Sequence, residues 1–215
     1  MRKKKHSIQE PDLPYELLPI ALESEHISSH AYIENGIIEN IATQLRADHV
    51  GFSELYLKSV QLQGSQLNAS NWTDVIFEKC DLSNVKFNRA QFNRVRFVDC
   101  KMVGTDFDEA VFADVQFVQC QGQLSTWSVS TCKDMSFEDC QLKSASFFEA
   151  VFERIQFGKS YIDDVQFTGT SLADVDLSLC HFDSIHASAG DLVGSVISPE
   201  QAVAFVQAFG VKVKQ

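Results

Sequence analysis

A large apolar residue stands at every fifth position from Phe52 to Ile197. Of these thirty positions, twenty-seven are Phe, Leu, Trp, Met or Ile, and only Gly122, Cys132 and Ala187 depart. Two residues before each lies a second register of mostly small residues, as in Ser70, Val75, Cys80, Val85 and Ala90. None of the sixty slots is charged, although 22% of the chain is, so roughly thirteen charges would fall there by chance. Five matches neither the 3.6-residue period of a helix nor the two-residue period of a strand. The pattern therefore predicts a stack of small repeated units, each too short to bury a core alone.

The columns are most alike at a spacing of twenty. Val60 leads to Cys80, Cys100, Cys120, Cys140, Ser160 and Cys180, and Leu57 leads to Phe77, Phe97, Phe117, Phe137, Phe157 and Leu177. A third column runs Ser70, Ala90, Ala110, Ser130, Ala150, Thr170. Four repeats thus close one coil, and alternating small and large inward residues fill a square section without voids. The prediction is an all-β solenoid, a quadrilateral β-helix whose coils pair backbone to backbone at about 4.8 Å, giving a rod roughly 36 Å long.

The ends read differently. Residues 1–35 lie outside the register and predict an N-terminal arm, either a short helix or a cap. Residues 36–51 read as an irregular first coil, and 52–197 as the repeat solenoid. Residues 198–215 read as a C-terminal helix followed by a strand. Ser198-Pro199-Glu200-Gln201 supplies an N-cap, a proline at the first helical position and a capping-box glutamine. Ala202, Phe205, Val206 and Phe209 follow on one helical face, with Gly210 as the stop. Val211 and Val213 alternate with lysines as a strand would. This element caps the solenoid. Phe205, Phe209, Val211 and Val213 also offer more apolar surface than one coil end needs, which suggests a homodimer contact. Around residues 120–132 the inward register thins at Gly122 and Cys132, so a bulge there is an even alternative to compensation by Leu124 and Trp127.

Charge refines this picture. The chain of 215 residues has a net charge of −11. Residues 50–105 hold five acids and seven bases, with a basic belt from Lys86 to Lys101, whereas residues 106–197 hold fifteen acids and four bases. A narrow rod with regular surface carboxylates imitates duplex DNA, repelling nucleic acid and attracting basic grooves. The simpler reading is a solvated surface. Asp163, Asp164, Asp174, Asp176 and Asp183 cluster near the presumed dimer centre, outside both inward registers, and are the candidate partner-binding acidic face.

Candidate chemistry is sparse. Five of the six cysteines share one inward column, which predicts small, reduced core residues rather than disulfides or ligands converging on a metal. The six histidines show no ligand spacing, and no phosphate loop or nucleophile motif occurs. These features point away from an enzyme and from any cofactor. No apolar run reaches eighteen residues, so no membrane span is expected. The basic start has no apolar region behind it, which favours the cytoplasm.

Segments such as Cys80-Asp81-Leu82-Ser83-Asn84 and Ala90-Gln91-Phe92-Asn93-Arg94 resemble the motif of pentapeptide-repeat proteins. That resemblance covers about two-thirds of the chain and implies a right-handed quadrilateral β-helix. Asp12-Leu13-Pro14, the acidic register, Leu192-Val193-Gly194 and Pro199-Glu200-Gln201-Ala202 narrow it to the quinolone-resistance (Qnr-type) proteins, in particular a loop-free, chromosomally encoded branch. The resemblance implies a dimer through the C-terminus, DNA gyrase or topoisomerase IV as partner, and relief of quinolone inhibition. It departs from plasmid-borne members, whose repeats are interrupted by loops. The alternative is a scaffold solenoid with another protein partner.

Overall fold

The computed structural model describes residues 7–22, 27–208 and 210–213. Strands β1 (Leu18–Pro19), β2 (Tyr32–Glu39), β3 (Gly51–Lys58), β4 (Asn71–Glu78), β5 (Gln91–Val98), β6 (Val111–Val118), β7 (Thr131–Glu138) and β8 (Val151–Phe157) form one parallel sheet in chain order. Partners lie twenty residues apart, as in Phe77↔Phe97 and Phe97↔Phe117. The other two sides of each coil pair at the same spacing through single bridges such as Gln61↔Asp81 and Lys86↔Asp106. Each long strand covers two sides and bends at its fourth residue. Glu54, Asp74, Arg94, Asp114, Asp134 and Arg154 take φ between 49° and 59° there. The molecule is a right-handed quadrilateral β-helix. Faces are named here from the coil of Trp72: A around Trp72, B around Phe77, C around Leu82, D around Phe87, with equivalents every twenty residues.

The inward registers fill the square as their sizes require. Phe97, Phe117, Phe137 and Phe157 stack in one column at ring separations of 4.6, 4.9 and 5.2 Å and are at most 3% exposed. A second column, Phe87, Phe107, Trp127, Phe147 and Phe167, stacks likewise. Rings of adjacent columns meet edge to face, as Phe117 does Trp127 at 86°, the geometry that ring quadrupoles favour.

Polar residues in the small register find carbonyls. Ser70 Oγ donates to Leu67 O and accepts Trp72 Nε1–H; Ser125 Oγ donates to Gly122 O and accepts Trp127 Nε1–H. Both tryptophans therefore depend on the serine two residues earlier. Ser125→Ala should cost about 1–3 kcal/mol by leaving the indole N–H unsatisfied. A urea midpoint equal to wild type would contradict this.

Pairing runs through residues 120–132 without a bulge, from Gln121↔Gln141 and Thr126↔Ser146 into β7. Leu142 and Ser125 close over Gly122, and Trp127 is fully buried among five rings. Leu124 does not compensate: it sits at an outward corner, 61% exposed.

The first coil is one residue short. Tyr32↔Gly51 and Ala42↔Gln61 are nineteen apart, and Arg46↔Gln66 restores twenty. At the other end, helix α1 (Gln201–Ala208) closes the rod. Ser198 and Gln201 form the reciprocal capping box, each accepting the other's backbone N–H. Gln201 Nε2 then reaches back to the carbonyls of Leu177 and Cys180, both at 2.8 Å. Gly210 has φ +81, and its N–H and that of Val211 bond Gln207 O and Val206 O, ending the helix in a Schellman turn. Two expectations change here. Among the described side chains of α1, Gln201 and Phe205 are buried, while Ala202 and Val206 are exposed. Residues 211–213 lie in no strand.

Candidate partner-binding surfaces

The five aspartates do not form one face. Asp163 and Asp183 stack on face C, and Asp164 turns the corner from C to D. Asp163 accepts the N–H groups of Asp183 and Ser184 at 3.0 and 3.1 Å and pairs with Lys143 at 3.1 Å. Lys143 holds its carboxyl below the usual range. Asp164 meets His186 at 2.7 Å and accepts the Ser144 hydroxyl, which lowers its carboxyl too. Asp174 sits instead at the A–B corner, with φ 64, and Asp176 lies on face B, bonded to the Ser178 N–H. These two line a groove of about 380 Å³ with Glu138, Gln156 and Gly158. The period places all five outward but on different sides of the square, because 163 and 174 are not a whole number of coils apart.

Four of the five bases of the belt are paired within the chain. Arg89 pairs with Glu109, Arg94 with Asp74, Arg96 with Glu10 and Lys101 with Asp81. Coil stacking explains three of these pairs, since their members are twenty residues apart. The fourth comes from the N-terminal arm, an extended segment running back along the A–B corner. Gln9 N–H donates to Asp114 and Asp12 N–H to Asp74, both at 2.9 Å, and Gln116 donates to Glu10 at 3.1 Å. Three residues of extended chain span about 10 Å, matching two coil rises. Burial opposes ionisation of Asp74, yet the Arg94 guanidinium and the Asp12 N–H outweigh it and hold the carboxyl below its ordinary value. Arm residues carry no register, so nothing in the pattern of the chain marks this seam.

The proposed dimer residues divide. Phe205 is buried within its own chain, edge-on to Phe182 at 5.6 Å; it fills the open end of a core column and is no contact surface here. Phe209 lies outside the described residues. Val211 and Val213 are exposed, as are Val203 and Val206 of α1 and Val193 and Val196 of the last coil.

All six cysteines are free and buried. Cys80, Cys100, Cys120, Cys140 and Cys180 point their thiols at the carbonyls of Leu57, Phe77, Phe97, Phe117 and Phe157, one coil back, at 3.4–3.5 Å. Ser160 takes the same role at 3.4 Å. Burial pushes Cys132 and Cys180 up to about 12, away from the reactive thiolate. Native protein should resist thiol reagents, and unfolding without reductant should release six thiols. A count of two or fewer would overturn this assignment. Among the described residues, no group of three or more His, Cys, Asp or Glu could hold a metal ion. No helix among them is long and apolar enough to cross a membrane.

No curated protein sequence matches the chain. Among solved structures it is similar to a trypsin-treated form of QnrB1, a plasmid-mediated fluoroquinolone resistance protein, at 16% identity over 92% of this chain and 98% of that one, with TM-score 0.41. It is also similar to HetL, a pentapeptide repeat protein involved in heterocyst differentiation regulation from the cyanobacterium Nostoc, at 11% identity over 79% and 86%, with TM-score 0.34. At such scores the fold rests on the chain's own coil rather than on these superpositions. Residues 70–147 match the family described as "Pentapeptide repeat region". That segment is a pentapeptide-repeat region, and the same five-residue register runs on either side of it from Phe52 to Ile197.

Proposed function

We propose that the chain is a binding protein of the cytoplasm, not an enzyme, whose acidic rod occupies the DNA groove of a type II topoisomerase, DNA gyrase or topoisomerase IV, and relieves quinolone inhibition. One observation carries this reading. The bases of the first half are mostly neutralised by the chain's own acids, so the field of the rod is set by residues 106–197, where fourteen acids besides Glu109, which pairs with Arg89, face four bases. Among these acids Asp114 and Asp134, and Asp163 and Asp183, are twenty residues apart and so stand one coil rise, about 4.8 Å, from each other on a support that keeps them fixed. Direct binding to nucleic acid is disfavoured by the same field. The motifs that resemble Qnr-type proteins support the choice of partner.

A C-terminal homodimer belongs to this reading, because it would join two acidic halves into one band. Its surface is the outer side of the cap, where Val203, Val206, Val211 and Val213 are 40–52% exposed. Val203→Ser with Val206→Ser should convert the dimer to a folded monomer in sedimentation; a wild-type monomer would remove the dimer from the proposal. The function itself is tested by supercoiling with purified gyrase and ciprofloxacin. Added protein should restore supercoiling, and less so as salt rises, since ion pairs with a basic groove are screened. Failure to restore it at molar excess, for gyrase and topoisomerase IV alike, would refute the topoisomerase reading.

A further inference from the structure

Outward slots of the repeat are mostly polar, yet four exceptions converge on one corner. Val111, Val129, Phe148 and Val151 are 44%, 54%, 39% and 59% exposed. Val111 and Val151 flank Thr131 in one ladder column at the start of face A. Val129 N–H donates to Phe148 O at 2.9 Å, so these two sit on adjacent coils beside the D–A corner. Phe148 is the one phenylalanine between residues 52 and 197 outside the inward register. Val129 is itself a corner residue with φ 58. A β-branched side chain is poorly tolerated there, and most corners hold Asp, Asn, Gly or other unbranched residues. An apolar patch and a strained residue are independent departures from the repeat's own rules, and both mark interaction sites.

The frame of the patch indicates its partner. Arg89 pairs with Glu109 and Lys133 with Glu153. Among the described residues no cation pairs with Asp108 or Glu149, which lie in the same two columns as Phe148 and Val129. The patch is thus apolar at its centre and negative at its rim. We propose that this corner docks a segment of a partner protein that presents a large apolar side chain flanked by lysine or arginine. The apolar anchor packs on Val129, Phe148 and Val151, and the cations meet Asp108 and Glu149. This site is separate from the acidic surfaces of faces B and C and does not depend on the topoisomerase reading.

The probe is a synthetic twelve-residue peptide alternating Lys with Leu and Phe. Its counterparts replace every Leu and Phe by Ser, or every Lys by Glu. The variant combines Val129→Asn, Phe148→Ser and Val151→Thr, residues the chain already carries in equivalent slots at Asn84, Ser128 and Thr131. With full-length protein, the Lys/Leu/Phe peptide should shift the methyl resonances of Val111, Val129 and Val151. Its affinity should fall about tenfold or more in the variant, with no loss of thermal stability. The single change Phe148→Ser and the mapping on wild type keep the test open if the triple variant misfolds. Equal binding of the Ser counterpart would mean simple charge attraction and overturn the proposal. So would binding of the Glu counterpart, shifts confined to other faces, or unchanged affinity in the variant. Self-association of wild type that the variant abolishes would make the occupant a second copy and refute a partner segment.

Discussion

Phe117→Ala is expected to destabilise the solenoid by about 3–5 kcal/mol, read from urea unfolding. Phe117 is fully buried and stacks on Phe97 and Phe137 at 4.6 and 4.9 Å, with Trp127 edge-on at 5.3 Å. Neighbouring coils are locked by backbone ladders on all four sides, so the void has little means to collapse, which places the cost near the top of the usual range. Each coil touches only its neighbours, so a weak coil in mid-rod should also divide the cooperative unit. The transition should broaden or separate into two. A loss under about 1 kcal/mol would mean that the core tolerates vacancies and that backbone pairing alone carries the rod.

Neutralising the acidic surface should have the largest functional effect, and the structure changes which residues to choose. Asp163 holds two backbone N–H groups and a lysine, and Asp164 holds a histidine and a serine, so replacing either perturbs local structure. Glu138, Asp139, Asp174, Asp176 and Asp183 are better targets, because they lie on the outer surface without an ion pair among the described residues. Replacing all five with their amides should shift stability by no more than about 0.5 kcal/mol per site. It should abolish protection against ciprofloxacin if charge mimicry is the mechanism. Full protection by the folded variant would reduce these carboxylates to solvation and leave the scaffold reading in its place.

What was legible in the sequence was whatever obeys the repeat. The faces, the column of Phe97 to Phe157 and the cap box at Ser198 and Gln201 follow from spacing, because a coil of fixed length converts sequence distance into spatial position. The same conversion hid the first coil. One residue missing between Ala42 and Arg46 shifts the register, so Tyr32–Glu39 reads as non-repeat although it pairs normally. Nearness in sequence does not put the five acids on one face, because their offsets are not whole coils. The apolarity of Phe205 reads as a contact surface, since the open end of the Phe182 column has no mark in the sequence. The arm reads as an arm but its docking line does not show, since apart from the Glu10 carboxylate its contacts are backbone N–H groups meeting Asp74 and Asp114, and any residue supplies an N–H. The apolar corner was readable: Phe148 is visibly out of register.

The constant twenty-residue offset has a kinetic meaning. Nearly every long-range contact closes a loop of the same modest size, whatever its place in the 215-residue chain. Relative contact order is then only about 0.1, a value typical of helical bundles rather than of sheet proteins. A chain made of parallel β-structure should therefore fold quickly. Each coil can settle on the one before as it leaves the ribosome, its buried thiol or hydroxyl meeting a carbonyl already fixed in place one turn back.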